Sequence, residues 1–330
     1  MRKLASIEII TEIRKHDNAD KLEIARILGW DVVVNKDQFK TGDHVVYFYI
    51  DAFLPQIPEF EFLRKTSFKK NYDGSEGFRL KTIRLRGQIS QGLALPLNIL
   101  NVCGNVGDDV SEMLGVKKYE RPIPESLASL TKGDFPGFLR KTDEERIQNL
   151  SGQLDYLSEK VWELTEKLDG TSGTYYFNNG EFGVCSRNLE LKESETSVYW
   201  KMATKYQLKE KLSQLNSNLA IQGEIVGPGI QGNHYLLLEA KLFVFNVYNI
   251  DEGRYYGHRE RVKFCKELKL DHVPILGSCI DAIEVERCLQ EADGPSMLCK
   301  ERAREGVVYK SSCGKTSFKA ISNSFLLAEK

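Results

Sequence analysis

The stretch from residue 161 to residue 187 constrains the fold more than any other part of the sequence. It reads VWELTEKLDGTSGTYYFNNGEFGVCSR and contains three strand-like runs, the first of which ends at Lys167. Because side chains alternate along a strand, Lys167 and Asp169 are predicted to lie on one face. Gly170 then permits a tight turn beside a bulky ligand. The stretch therefore predicts a sheet-rich domain with a lysine and an aspartate together at a strand end.

A lysine in this position is a candidate nucleophile, because a neutral amine attacks electrophilic carbon or phosphorus. The Lys-x-Asp-Gly context favours attack on the α-phosphorus of a nucleotide. The same four residues also occur at ordinary strand–turn boundaries, where the lysine is a surface side chain. The chemical interpretation therefore depends on further segments at suitable spacings.

Length and composition limit the class of protein. A chain of 330 residues predicts about two domains, and its 41% hydrophobic and 28% charged residues are typical of globular proteins. The net charge of −1 means that any nucleic-acid surface is a local patch. Seven dispersed cysteines without a Cys-x-x-Cys pair argue against disulfides and zinc knuckles. Without a signal-peptide pattern or a long apolar run, we expect an intracellular protein of cytoplasm or nucleus, with no membrane partner.

Residues 1–112 have the pattern of an all-β domain. The run LEIARILGWDVVVNK alternates, and FKTGDHVVYFYIDAFLP contains a Thr-Gly-Asp turn, a strand and a proline stop. Four or five short strands in about 100 residues suit a small barrel such as an OB-fold. The segments HDNADKLEIARI and LRGQISQGLAL resemble the tRNA-binding type of OB module.

A basic stretch in this first domain is a candidate RNA-binding surface. Phe68, Tyr72 and Phe78 are interleaved with its basic residues, and Asp73 and Glu76 are its acidic ones. Basic groups neutralise phosphates and aromatic rings stack on bases, whereas a solvated hairpin with core aromatics is the alternative. The basic residues are Arg64, Lys65, Lys69, Lys70, Arg79, Lys81, Arg84 and Arg86.

Residues 113–142 are a predicted linker, because they contain three prolines and little periodicity. Residues 143–330 are predicted to form a mixed α+β domain. Helices are expected over residues 143–157, with acidic residues in the first turn, and over 195–215, which has an amphipathic pattern.

Five short segments follow one another in the second domain. They are Lys167-Leu168-Asp169-Gly170, Ser186-Arg187-Asn188, Gly223-Glu224, Glu305-Gly306-Val307-Val308 and Ser317-Phe318-Lys319, with KLFVFN between the third and the fourth. The ordered set resembles the covalent nucleotidyltransferase superfamily of ATP-dependent ligases and capping enzymes. With an OB-like module in front, the chain most resembles the RNA ligases of the Naegleria and Deinococcus type. Since few residues follow Lys319, a second OB domain after it is not expected.

The resemblance implies a site and a reaction. Lys167 would take AMP from ATP, the AMP would pass to an RNA 5′-phosphate, and a 3′-hydroxyl would then displace it, at nicks in duplex RNA. Lys319 would be the second catalytic residue, and Asp169, Glu224 and Glu305 would hold Mg²⁺ or Mn²⁺. The implied ATP-binding residues are Arg146, Glu166, Lys167, Arg187, Glu224, Lys241, Phe243, Phe245, Val307 and Lys319.

Some expectations qualify this interpretation. Positive charge from Lys319 or a metal ion is expected to lower the pKa of Lys167, because the attacking amine has to be neutral. Many ligases have a second lysine two residues after Lys319, where this chain has Ile321. Lys315 is a candidate replacement. The alternatives are a capping-type guanylyltransferase and a non-catalytic RNA-binding protein, and the chain is expected to be a monomer.

Overall fold

The computed structural model describes residues 3–122 and 125–328 and divides into two compact units. The first unit comprises Met1–Ile123, Ile147–Gly152 and Leu326–Lys330, and the second comprises Pro124–Arg146 and Gln153–Phe325. Within the predicted linker, residues 123–124 lie outside the described residues, as do residues 1–2 and 329–330 of the two predicted domains. The boundaries predicted at residues 112 and 142 stay predictions.

The first unit is built from short antiparallel strands. They form one sheet in the order β10-β4-β1-β2-β3, a second in the order β11-β5-β7-β6, and a β8–β9 hairpin. The strands are β1 (Ala5–Lys15), β2 (Leu22–Ile27), β3 (Trp30–Asn35), β4 (His44–Phe48), β5 (Ala52–Leu54), β6 (Phe68–Lys70), β7 (Glu76–Arg79), β8 (Ile83–Leu85), β9 (Gln88–Ser90), β10 (Leu93–Pro96) and β11 (Lys117–Lys118).

Strand β4 separates two apolar clusters, which explains its continuous hydrophobic run. Val46 and Phe48 pack in one cluster, and Val45 and Tyr47 pack in the other. A strand that is buried on both faces has no polar side, so its sequence does not alternate. Strand β1 contributes to both clusters and changes register at a bulge between Ile10 and Glu12, a feature that bends a strand.

The second unit contains two sheets. The larger has the order β12-β17-β16-β15-β18-β19-β20, with β21 paired to β19, and the smaller has the order β13-β24-β23-β14-β22. The strands are β12 (Thr131–Asp134), β13 (Glu145–Arg146), β14 (Trp162–Lys167), β15 (Thr171–Asn178), β16 (Glu181–Cys185), β17 (Leu189–Leu191), β18 (Leu219–Val226), β19 (Lys241–Asn249), β20 (Arg254–Tyr255), β21 (Asp271–His272), β22 (Ile275–Cys279), β23 (Gly306–Ser311) and β24 (Ser317–Ile321).

The helices are short, and several of them cover the larger sheet of the second unit. Apolar residues of β15, β18 and β19 form one core cluster with residues of α4, α5 and α6. No helix in the described part of the chain is long and apolar enough to span a membrane. The α-helices are α1 (Arg64–Ser67), α2 (Glu125–Ala128), α3 (Leu154–Ser158), α4 (Val198–Lys205), α5 (Leu208–Ser213), α6 (His258–Glu267), α7 (Val285–Ala292) and α8 (Asn323–Ala328), and the 3-10 helices are Pro58–Leu63, Leu97–Leu100, Ile147–Gln153 and Gln231–Asn233.

Two predicted helices differ from the structure. The segment 143–157 begins with the extended residues Glu145 and Arg146, and helical turns start only at Ile147. The prediction is wrong there because Glu145 and Arg146 pair with β24 in parallel, a long-range contact that overrides local preference. The helix predicted over 195–215 is divided into α4 and α5 at Gln207, whose φ of 53° lies in the left-handed region.

Candidate active site

Lys167 lies at the end of β14, beside the residue that precedes β23. The backbone of Lys167 is opposite Gly306. Nζ of Lys167 is 2.7 Å from Oε2 of Glu305, the residue before β23. The next residues leave the strand, and the chain bends at Gly170, where the sequence predicted a tight turn. A side chain at Gly170 would collide with the carbonyl oxygen of Ile225 in β18, so this glycine allows two backbone segments to approach closely.

The smaller sheet presents a row of side chains on the face of Lys167. Thr165 is two residues before Lys167, and the pairing register places Val308 opposite Thr165. Lys319 of β24 is in turn opposite Val308, and Arg146 of β13 is opposite Lys319. Residues directly opposite each other in a sheet share a face. The structure therefore brings Lys167, Lys319 and Arg146 to one surface.

Glu166 and Val307 lie on the opposite face of this sheet, away from the side chain of Lys167. They are opposite each other in the β14–β23 pairing, and each is only 1% exposed. Oε2 of Glu166 accepts the backbone N–H of Met297 at 2.7 Å. The prediction that the Val307 side chain contacts the nucleotide beside Lys167 does not fit this register. Val308 has the required orientation and is partly exposed.

Glu224 lies on β18, opposite Phe243 of β19 and Ser172 of β15. Burial raises the pKa of Glu224 to about 8, and this rise persists although Lys167 opposes it, because Glu305 and Asp169 add like charge. Asp169 is fixed through its backbone, whose N–H donates to Oη of Tyr235 at 2.6 Å. The three predicted metal-binding carboxylates therefore lie close enough to one another and to Lys167 to interact electrostatically.

The pKa of Lys167 shifts in the opposite direction from the one that the sequence led us to expect. Burial disfavours the charged amine, but Glu305, Glu224 and Asp169 outweigh burial and raise the pKa of Lys167 above its ordinary value. Lys319 forms a salt bridge with Asp143, since its Nζ is 3.1 Å from Oδ1 of that residue. The expectation that Lys319 lowers the pKa of Lys167 is therefore wrong, because three carboxylates surround the lysine, whereas lowering by a metal ion stays a prediction.

Asp143 connects two predicted nucleotide-binding residues. Its carboxylate contacts Nζ of Lys319, and its Oδ2 is 3.7 Å from a terminal nitrogen of Arg187. The side chain of Arg187 is 54% exposed and close enough to Glu224 to lower the pKa of that carboxyl, although burial dominates. An exposed guanidinium beside a buried lysine is a suitable place for a phosphate.

The aromatic residues of β19 occupy different environments. Phe243 is buried in an apolar cluster with Leu168 and Tyr235, whereas Phe245 is only partly buried. A bulge places Gln222 opposite Asn246 and Gly223 opposite Val244, so that Phe245 is the extra residue. The bulge interrupts the regular alternation of side chains between Phe243 and Phe245, and bulges are common next to functional sites. Lys241 begins β19, opposite Val226.

The sequence did not identify Lys310, which joins the two sheets of the second unit. It lies on the Lys167 face of β23, and its Nζ is 2.5 Å from both the carbonyl oxygen of Phe245 and Oδ1 of Asn246. A cavity of about 200 Å³ adjoins it and is also lined by Asp143 and Ser317. This cavity does not include Lys167 or Glu224, so it is separate from the carboxylate cluster.

The carboxylates around Lys167 suit a divalent cation that also has other ligands. Among residues 3–122 and 125–328, no group of three His, Cys, Asp or Glu is arranged to hold a metal ion by itself. Glu224, however, is partly buried and lies close to the like charges of Glu305 and Asp169. A cation would relieve that repulsion, and Mg²⁺ and Mn²⁺ commonly keep water and phosphate oxygens as further ligands.

The predicted RNA-binding residues differ in their contacts and in their exposure. Arg64 contacts Glu61 at 2.6 Å and Arg79 contacts Asp51 at 3.2 Å, and both guanidinium groups also lie over aromatic rings of the first unit. These two arginines therefore serve internal contacts. Lys81 is partly buried. The remaining members are Lys65, Lys69, Lys70, Arg84 and Arg86, which are exposed, as Arg64 also is.

Comparisons with known proteins agree with this architecture. A model of an OB-fold domain matches residues 4–97, and a model of the RNA ligase family matches residues 160–321. The structure of Naegleria gruberi RNA ligase with pyrophosphate is 42% identical, with a TM-score of 0.92 and coverage of 99% of this chain and 98% of that one. A lysine variant of the same ligase with ATP and Mn has the same identity and TM-score, with coverage of 98% of each chain. A search of curated proteins found no match.

The two units thus define a nucleic-acid ligase with an OB-fold domain in front of a sheet-rich ligase domain. The chain belongs to the RNA ligase family, and it is an RNA ligase enzyme. These matches confirm the predicted α+β fold class and the predicted enzyme class.

Proposed function

We propose that this ligase is ATP-dependent and works through a lysyl-AMP intermediate at Lys167. The amine attacks the α-phosphorus of ATP, and pyrophosphate leaves. AMP then passes from Lys167 to an RNA 5′-phosphate. A 3′-hydroxyl attacks that activated phosphate, the 3′–5′ phosphodiester forms, and AMP leaves. The observation that carries the proposal is the contact between Lys167 and Glu305, with Glu224 and Lys319 on the surfaces around it.

The spacing of substituted residues in the relative supports the assignment. The Naegleria gruberi structures include variants at a lysine, at an aspartate two residues later, at an arginine 21 residues before the lysine and at a glutamate 57 residues after it. Lys167, Asp169, Arg146 and Glu224 have the same spacings in this chain. Complexes of that ligase with ATP and Mn, and with AMP and Mn, support the same cofactors here.

The residues around Lys167 have separate roles in this proposal. Glu305 is in hydrogen-bond contact with the amine and is therefore placed to receive its proton. Lys319 and Arg187, which share Asp143, bind the phosphates and stabilise the departing pyrophosphate. Phe245 is only partly buried, and adenine stacks on its ring. Val308, rather than Val307, then covers the other side of the base.

Asp169, Glu224 and Glu305 would hold Mg²⁺ or Mn²⁺ together with phosphate oxygens and water. Such an ion offsets the negative charge that develops during phosphoryl transfer. Neutralising these carboxylates also removes the interaction that keeps Lys167 protonated. The resting arrangement thus keeps the nucleophile charged until nucleotide and cation are present together.

The substrate and setting complete the proposal. Nicked duplex RNA with a 3′-hydroxyl and a 5′-phosphate is the proposed substrate, and the exposed basic residues Lys69, Lys70, Arg84 and Arg86 bind its phosphates. We also propose that the enzyme is a monomer and works inside the cell, in cytoplasm or nucleus. All seven cysteines are free thiols, which is compatible with a reducing compartment.

The test of this proposal is covalent labelling with radioactive ATP or GTP in the presence of Mn²⁺, followed by a denaturing gel and mass spectrometry. We expect AMP on Lys167, no label in Lys167→Met, and normal labelling in the control Lys201→Met, which changes an exposed lysine of α4. Labelling by GTP instead of ATP would favour a capping-type enzyme. AMP on another lysine would show that Lys167 is not the nucleophile.

A further inference from the structure

The loop of residues 227–240, between β18 and β19, contacts the catalytic turn. Oη of Tyr235 accepts the backbone N–H of Asp169 at 2.6 Å, and Nε2 of Gln231 donates to the carbonyl oxygen of Gly170 at 3.4 Å. The first contact joins residues that are 66 positions apart in the sequence, and the second joins residues that are 61 positions apart. The loop therefore fixes the backbone that carries one of the three carboxylates.

The same loop also contacts the segment that leads to Glu305. Nε2 of His234 lies 2.7 Å from the carbonyl oxygen of Ala303, two residues before Glu305. The neighbouring residues Tyr235 and His234 thus reach the two segments that carry Asp169 and Glu305. One short loop spans both sides of the carboxylate cluster.

Several features make this loop a rigid element. Tyr235 is 2% exposed and packs in the apolar cluster with Leu168 and Phe243. The side chain of Asn233 donates to the carbonyl oxygen of Leu237 at 2.9 Å and accepts its N–H at 3.0 Å. Asn233 and Leu236 have φ values of 53° and 54°, which are costly for a branched side chain such as leucine. Such conformations persist where surrounding contacts hold them.

We propose that the 227–240 loop sets the distance between the carboxylates of Asp169 and Glu305, with Tyr235 and His234 as its positioning residues. The inference rests on the proposed function, since it assigns the two carboxylates to one divalent cation. Tyr235 would act through the backbone of Asp169, and His234 would act through the backbone of Ala303.

The expected consequence is a change in cation affinity rather than in chemistry. Partners that orient metal ligands typically contribute about 10–100-fold to metal affinity or activity. Tyr235→Phe keeps the ring and its packing but removes the acceptor of the Asp169 N–H. We expect the half-saturating Mn²⁺ concentration for labelling to rise about tenfold, while the rate at saturating Mn²⁺ stays within about twofold. Direct Mn²⁺ binding with ATP present, followed by the electron paramagnetic resonance signal of free Mn²⁺, should weaken by the same factor.

Two comparisons isolate the loop. Tyr309→Phe is the matched control, because Tyr309 is also buried but its hydroxyl donates to Glu291 of α7. It should leave the Mn²⁺ dependence unchanged. His234→Ala should raise the half-saturating Mn²⁺ concentration, as Tyr235→Phe does. His234→Gln keeps an N–H donor and should therefore have a half-saturating concentration close to that of the wild-type protein. The His234 pair also tests the loop if Tyr235→Phe does not fold.

The outcomes separate this inference from the proposed function. If the wild-type protein is not labelled at Lys167, the proposed function fails before the loop is tested. If the wild-type protein is labelled but Tyr235→Phe has an unchanged Mn²⁺ dependence, or Tyr309→Phe shifts it equally, the positioning role is refuted. A lower rate at saturating Mn²⁺ without a change in half-saturation would also refute it.

Discussion

Lys310 gives a quantitative prediction, because it is a buried amine close to another cation. Lys310 is 6% exposed, and its Nζ contacts the neutral oxygens of Phe245 and Asn246. Burial, assisted by the charge of Arg261, lowers the pKa of Lys310 to about 7. An unfolded chain would hold this amine with a pKa of about 10.4. The folded protein therefore binds fewer protons than the unfolded chain between these two values.

The sign and size of the effect follow from proton linkage. Where the unfolded state binds more protons, the free energy of unfolding rises with pH. Each unit of pH between the two pKa values contributes about 1.4 kcal/mol, so the two units from pH 7 to pH 9 give at most about 2.7 kcal/mol. When the pH is raised to 9, we expect the free energy of unfolding of the wild-type protein to increase by about 1–3 kcal/mol more than that of Lys310→Met, because methionine cannot titrate.

The assay is equilibrium urea unfolding of both proteins at pH 6 and pH 9. Differences between the two proteins isolate Lys310, because all other titrating groups are shared. Lys132→Met is the control, since Lys132 is exposed and its contact with Glu190 raises its pKa, so that it stays charged over this range. If the difference between wild type and Lys310→Met is the same at both pH values, Lys310 does not have a depressed pKa.

Two further predictions concern the nucleotide and the RNA. Val308→Ala should raise the KM for ATP in the labelling reaction several-fold, whereas Val307→Ala should mainly lower the free energy of unfolding, by about 2 kcal/mol, because Val307 is a core residue. The opposite pattern would mean that Val307 contacts the base. Reversing the charges of Arg84 and Arg86 should reduce sealing of nicked RNA and make it less sensitive to salt, with labelling by ATP unchanged. Lys36→Glu, at another exposed site, should do neither, and equal loss of sealing and labelling would contradict RNA docking.

The sequence predicted those parts of the site that depend on local order. The strand that ends at Lys167 and the hairpin of β23 and β24 need only alternating residues and turn signals over a few positions. Glu224 and Glu305 then follow, because each lies on or beside a strand that the local pattern identifies. Motif order also sufficed for the family, since five segments in one order leave few alternatives.

The errors came from features that depend on pairing between distant strands. Whether Val307 or Val308 shares the face of Lys167 is decided by the β14–β23 register, which no local pattern contains. The bulge at Phe245 could not be predicted from the sequence either, because one additional residue in β19 leaves the apolar run of that strand unbroken. Arg146 reaches the site through a two-residue parallel bridge, too short to alter the helical pattern of 143–157.

The reversed pKa shift of Lys167 has a common origin with these errors. A lysine and three carboxylates from different segments look like separate motif members in the sequence, but the fold makes them neighbours. In the protein without ligands their charges attract, so the carboxylates stabilise the protonated amine more strongly than burial destabilises it. Positive charge beside the same carboxylates would weaken their stabilisation of the protonated amine. In the proposed mechanism, activation of Lys167 and cation binding would therefore be coupled electrostatically, because Glu305 both contacts the amine and belongs to the predicted cation site.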